Sequence, residues 1–126
     1  MELTGFTPYA EVARHLQTAT MGIVPYEEST GTHCAFVAKI VEYLAVGLPV
    51  VSTPIQSARR YFANEPLARF AEFNGERFGQ EILNWLEVPL AQQMEWAGPV
   101  SRRVQAELDW RVISRNAAEF VEKVAG

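Results

Sequence analysis

Apolar and polar positions in the first half of the chain alternate between strand-like and helix-like periods. Glu2 to Phe6 is short and runs into a turn at Gly5-Phe6-Thr7-Pro8, which reads as a strand. Pro8 suits the first turn of a helix, with Thr7 as its cap. The helix predicted over Tyr9 to Thr18 places Val12 and Leu16, followed by Ala19, at helical spacing, with Ala13 alongside. Met21 to Tyr26 is a short apolar run stopped at Pro25, the pattern of a buried strand. Glu27 to Thr32 is a polar loop holding Ser29, Thr30 and Gly31. The clearest helix follows, from about His33 to Val46, where Phe36, Val37, Ile40, Val41, Leu44 and Ala45 form a broad apolar face. Gly47 ends it as a cap. Leu48 to Thr53 is rich in β-branched residues and is the second buried strand. Short apolar strands joined by helices predict an α/β fold with a parallel sheet covered on both faces.

The second half is more helical. Ser57 to Phe62 predicts a short helix, Leu67 to Phe73 a strand, and Glu76 to Trp85 a helix with Phe78, Ile82 and Trp85 on one side. Pro89 opens a further helix that Gly98-Pro99 is expected to interrupt or kink. Val100 to Leu108 and Trp110 to Val124 are again helical in period, the latter with a stripe of Trp110, Ile113, Ala117, Phe120 and Val124. No repeat, linker or second domain is visible, so residues 1–126 read as one domain. The tryptophans at helical spacing read as core anchors rather than as stacking platforms.

Composition narrows the function. Eleven Lys and Arg stand against fifteen Asp and Glu, a net charge of -4. Nucleic-acid binders normally carry a basic excess, so nucleic acid is not an expected partner. The longest uncharged stretch, Tyr43 to Ala58, is too polar to span a membrane, and Met1-Glu2-Leu3-Thr4 does not open like a signal peptide. A cytoplasmic location is expected. One cysteine, Cys34, forms neither an internal disulfide nor a thiolate zinc site, and no metal is expected. Its neighbour His33 points about 100° away on a helix and does not face it as a base.

Lys39 and Glu42 stand three residues apart and share a helix face. A solvated surface pair worth less than about 1 kcal/mol is the plain reading. The hydroxyl-rich loop Ser29-Thr30-Gly31-Thr32 either turns the chain or, at a helix start, receives an anion such as a phosphate. His33 reads either as a solvated loop residue or as a contact to such an anion. His15 is structural, and Arg102-Arg103 reads as a solvated helix face. In an open parallel sheet, ligands bind outside the carboxyl ends of the strands, where these loops sit.

The order of residues from Lys39 to Thr53, with Glu42-Tyr43-Leu44-Ala45, then Gly47, then Pro49-Val50-Val51, resembles the donor-domain signature of type B glycosyltransferases. It is most similar to the large retaining "group 1" family, in its Lys-x-x-Glu-Tyr-Leu-Ala-x-Gly-x-Pro-Val-Val variant. Gly5-Phe6 with the following helix, Ile23-Val24-Pro25, and the C-terminal helices carrying Trp110 resemble the flanks of that domain, so the likeness covers nearly the whole chain. It implies a partial Rossmann-like parallel sheet flanked by helices, forming the C-terminal donor-binding domain of a two-domain enzyme. The substrate implied is a nucleotide-diphosphate sugar, with no separate cofactor and an unknown acceptor. Glu42 would accept hydrogen bonds from the ribose hydroxyls, as acidic residues do in dinucleotide sites. Gly31, Thr32 and His33 would lie near the donor phosphates or sugar, Lys39 would add positive charge there, and Tyr26 would help line the base pocket.

Two departures qualify that implication. Eight positions before Glu42, where the family usually has a first glutamate, stands Cys34. No lysine or arginine precedes Arg14, so the basic pair that neutralises the leaving diphosphate at the start of such domains has no counterpart, and no catalytic residue is assigned. The expectation is therefore a piece of a glycosyltransferase, inactive alone, lacking its N-terminal domain. Its uncovered sheet edge would seek that domain or a second copy. A non-catalytic, self-associating Rossmann-like interaction module is the alternative. A flavodoxin-like regulator fits less well, because Glu2 alone does not supply the acidic cluster such sheets carry at their first strand.

Overall fold

The computed structural model describes residues 5–126. The strand expected from Glu2 falls largely on residues outside that range, and Gly5 and Phe6 are not part of a strand. Three parallel strands form the sheet in the order β1-β2-β3: β1 (Gly22–Val24), β2 (Val50–Ser52) and β3 (Ala68–Phe70). Gly22 pairs with Val50 and Val50 with Ala68, and the register continues one residue at a time. Successive side chains of a strand point to opposite faces, so the central strand serves two cores. Val50 joins Val24 and Ala68 in the larger cluster on one face, while Val51 packs with Ala71 and Phe78 on the other. Both valines are buried, as a central parallel strand with helices on its two faces requires.

Among the described residues, seven helices accompany the strands. They are α1 (Tyr9–Thr18), α2 (Thr30–Cys34), α3 (Ala38–Ala45), α4 (Gln56–Phe62), α5 (Gly75–Leu86), α6 (Leu90–Leu108) and α7 (Trp110–Ala125). The fold is thus the α/β arrangement expected, a partial Rossmann-like parallel sheet flanked by helices and closed by C-terminal helices. No helix among the described residues is long and apolar enough to cross a membrane.

Helix α3 is central. Ile40 and Leu44 are fully buried against β1, β2 and α6. Its end is a Schellman motif: Leu48 N–H donates to Tyr43 C=O and Gly47 N–H to Leu44 C=O, with Gly47 at φ 74°. The Ala45 carbonyl, one of the acceptors a helix end leaves open, receives Ser101 Oγ at 2.6 Å and Gln105 Nε2 at 2.7 Å from α6. Gly22 allows the close approach of α3 to β1, since a Cβ there would stand 2.2 Å from the Tyr43 ring.

Several expectations change. The helix predicted from His33 to Val46 is two helices. Ala35 to Val37 is extended between them, Val37 is buried and Phe36 is exposed. Pro8 rather than Thr7 occupies the cap position of α1, without a side-chain cap. Helix α6 runs unbroken through Pro99, which lies on its exposed side, while Val100 and Val104 anchor the segment in the core. Trp85 is fully buried and Trp96 packs beside it at 6.2 Å between ring centroids, but Trp110 is exposed. Arg103 is part-buried rather than on an open face: it bridges Glu65 and Glu107 and ties α6 to the segment after α4, while Arg102 is exposed.

Candidate functional site

The sequence-predicted residues fall into two groups. Glu42 and Lys39 sit on α3, where Lys39 Nζ donates to Glu42 Oε2 at 3.0 Å. The hydrogen bond and charge of Glu42 raise the Lys39 pKa above its ordinary 10.5, so the ammonium is held at the carboxylate. The pair is a solvent-facing i, i+3 contact, with side chains 58% and 32% exposed, and contributes only a few tenths of a kcal/mol by itself (~0.3–0.5). A carboxylate offers about four acceptor positions. Lys39 engages one oxygen, and Oε1 has no hydrogen-bond partner among the described residues.

Glu42 also lines a groove of about 230 Å³ between α1 and α3. Its walls are apolar: Tyr9, Val12, Ala13 and Leu16 from α1, and Ala45 and Val46 from α3. Tyr9 is 84% exposed. Helix α1 has no fully buried residue. The slot thus combines apolar walls, one carboxylate and one open aromatic side chain.

Gly31, Thr32 and His33 lie on α2, apart from that groove. Ser29 and Thr32 form a reciprocal capping box, with Thr32 N–H donating to Ser29 Oγ at 3.1 Å and Ser29 N–H to Thr32 Oγ1 at 3.0 Å. The single Thr32 hydroxyl proton is also used locally, with the carbonyls of Glu27 and Ser29 both 2.9 Å away as acceptors. Thr32 is therefore committed to shaping the turn. His33 Nδ1 accepts the Gln56 backbone N–H at 3.3 Å, and Ser57 Oγ donates to Ala35 C=O at 2.5 Å. These two bonds fasten α2 to the start of α4. His33 lines a second cavity of about 650 Å³ between α2 and α4, which Glu42 does not reach. Tyr26 lines a third, of about 340 Å³, at the carboxyl ends of β1 and β2 beside Thr53 and Phe73.

Residues that sequence reasoning passed over are Tyr9, as a groove wall, and Arg59 and Arg60 in the α2–α4 cavity. The arginines carried a readable signal: neither has a carboxylate three or four positions away along the chain. The position of Tyr9 against Glu42 depends on how α1 folds back and has no such local signal. Among the described residues, no group of three or more His, Cys, Asp or Glu is placed to hold a metal ion.

Comparison with known proteins adds to this geometry. The family described as glycosyl transferases group 1 matches residues 1–88, which hold the sheet, α1 to α5 and both Glu42 and His33. A curated relative in Bacillus subtilis (strain 168), named as the teichuronic acid biosynthesis glycosyltransferase TuaH, is 35% identical over 57 residues. That match covers 45% of this chain and 14% of the relative, so the chain aligns with only a small part of that longer protein. No solved structure matches.

Proposed function

The chain belongs to the group 1 glycosyl transferases, and from that premise we propose that it is the donor-nucleotide part of a glycosyltransferase. The single observation that carries the reading is the position of Glu42, a part-buried carboxylate whose Oε1 has no partner among the described residues, in an apolar groove lined by Tyr9. In this reading the ribose diol of a nucleotide-diphosphate sugar donates to Glu42 and the base lies against Tyr9, an arrangement favoured by ring stacking. Lys39 holds the Glu42 carboxylate in place through its ion pair. Gly31, Thr32 and His33 support the phosphate side through the α2 turn. The donor is a substrate and needs no resident cofactor. The acceptor and its binding domain belong to a longer protein, as the 14% coverage of TuaH suggests.

Thermal unfolding in the presence of UDP, GDP and ADP and their sugars tests this directly. A ligand bound only by the folded state stabilises it, by about 1.4 kcal/mol at tenfold excess over Kd. The expected result is a raised Tm with one base and its loss in Glu42→Gln. An undiminished shift in Glu42→Gln would sink the role given to this residue.

A second reading, a self-associating module without donor affinity, draws on a different observation. Helix α7 exposes Trp110, Phe120 and Val124, and Ile23 on the edge strand β1 is 51% exposed. A stable dimer with no Tm shift for any nucleotide would favour it.

A further inference from the structure

The cavity between α2 and α4 has a volume of about 650 Å³, and of its lining the reading of the Glu42 groove uses only His33. Its polar lining consists of Thr30, His33, Gln56, Arg59 and Arg60, and it includes no carboxylate. Neither arginine has an ion-pair partner among the described residues. In a chain of net charge -4, two adjacent guanidinium groups without an ion-pair partner among the described residues make this lining locally basic, with Glu28 engaged at His33 on the other wall. Guanidinium forks match the paired oxygens of phosphates, and their charge-assisted hydrogen bonds are among the stronger ones in proteins.

The wall opposite the arginines is held in place. His33 Nδ1 accepts from Gln56 N–H, which puts the proton of the neutral ring on Nε2, and Glu28 stands 3.8 Å from that nitrogen. Ser57 fixes the Ala35 carbonyl from the other side. The cavity begins at Pro54, directly beyond the carboxyl end of β2. That is the edge of a parallel sheet where ligands collect. Only Ala35 to Val37 separate α2 from α3, the helix that carries Glu42.

We infer that Arg59 and Arg60 bind a diphosphate group in the α2–α4 cavity, and that this group is the diphosphate of the donor nucleotide. The second half of this statement rests on the reading of the Glu42 groove as the nucleoside site; the anion affinity of the arginines does not. The cavity gives the chain fixed positive charge just beyond the carboxyl end of β2.

Calorimetric titration separates the two halves. The probes are inorganic pyrophosphate, a nucleoside diphosphate, and geranyl diphosphate as a diphosphate without nucleoside. The variants are Arg59→Ala/Arg60→Ala, Ala63→Glu and Glu42→Gln. Arg59, Arg60 and Ala63 are all exposed, so these changes leave the core intact, and circular dichroism checks it. Pyrophosphate affinity is expected to fall at least about tenfold in the arginine variant and in Ala63→Glu, and to stay unchanged in Glu42→Gln. The nucleoside diphosphate is expected to weaken in all three variants. Pyrophosphate bound equally by the parent and the arginine variant overturns the inference. Loss of geranyl diphosphate but not of nucleoside diphosphate in the arginine variant overturns the assignment to the donor and moves the anion to the acceptor. An unchanged nucleoside diphosphate affinity in Glu42→Gln, with the arginine effects intact, removes the ribose role and supports the arginine pocket.

Discussion

Helices α3 and α7 carry the same kind of sequence pattern and meet opposite fates. Each has an apolar stripe at helical spacing, Ile40 and Leu44 on α3, and Trp110, Ile113, Ala117, Phe120 and Val124 on α7. On α3 the stripe is fully buried between the sheet and α6. On α7 no residue is buried, and Phe120 and Val124 remain 67% and 69% exposed. An amphipathic period says which face wants a partner. It does not say that the partner lies within the same chain. The strong pattern of α7 is therefore as good a helix signal as that of α3 and a poorer signal of what the domain buries.

The largest expected effect separates the two helices by stability. Leu44→Ala removes a side chain with no solvent exposure and is expected to cost about 2–5 kcal/mol. Phe120→Ala on the isolated chain should stay within about 0.5 kcal/mol. Urea unfolding of both variants gives the comparison. A Phe120→Ala loss near that of Leu44→Ala, growing with protein concentration, would mean that a second copy covers α7.

The parts of the fold that were legible are those whose cause is local. The β-branched run at Val50-Val51, the capping glycine at Gly47 and the i, i+3 pair of Lys39 and Glu42 all behave as their spacing implies. The break at Ala35 to Val37 was not legible, because Phe36 continues the apolar period. The chain leaves the helix there because the Ser29–Thr32 box closes a separate turn, fastened to α4 by Gln56 and Ser57. The same tertiary bonds explain the candidate site. Glu42 is singled out by a motif, but the groove beside it exists only because α1 returns beside α3, and the α2–α4 cavity exists only because two short helices are cross-linked.

A mutation at the tightest contact of the packed side sharpens the comparison with a smaller effect. Gly22→Ala would place a Cβ 2.2 Å from Tyr43 Cδ2, so α3 must shift or the ring must move. Overpacking of this kind costs about 1–3 kcal/mol. In a Tyr43→Ala background the obstacle is gone, and the same substitution should be nearly neutral, giving a coupling energy of similar size. Equal costs for Gly22→Ala with and without Tyr43 would show that the ring is not what excludes the methyl group.

The smallest effect concerns the attachment of α6, the helix on which α7 rests. Tyr61 of α4 donates to Glu107 Oε2 of α6 at 2.7 Å, beside the Arg103–Glu107 pair. Burial, and then the hydrogen bond to Glu107, raise the Tyr61 pKa above its ordinary 10.0. The Lys39 pKa is raised as well, through Glu42. Because both folded values lie above the unfolded ones, the unfolded chain loses these protons first as pH rises. Their contribution to stability is complete below about pH 10 and disappears as pH climbs through the folded values. Tyr61 is 43% exposed, so solvent and salt screening keep the contribution small. Tm followed from about pH 8 to pH 11.5 should fall less steeply in Tyr61→Phe than in the parent. The difference should be present only on the alkaline limb, and Lys39→Met should flatten the same limb at slightly higher pH. Superimposable parent and Tyr61→Phe profiles would remove the phenol from the joint between α4 and α6 and leave Arg103, with Glu65 and Glu107, as its polar fastening.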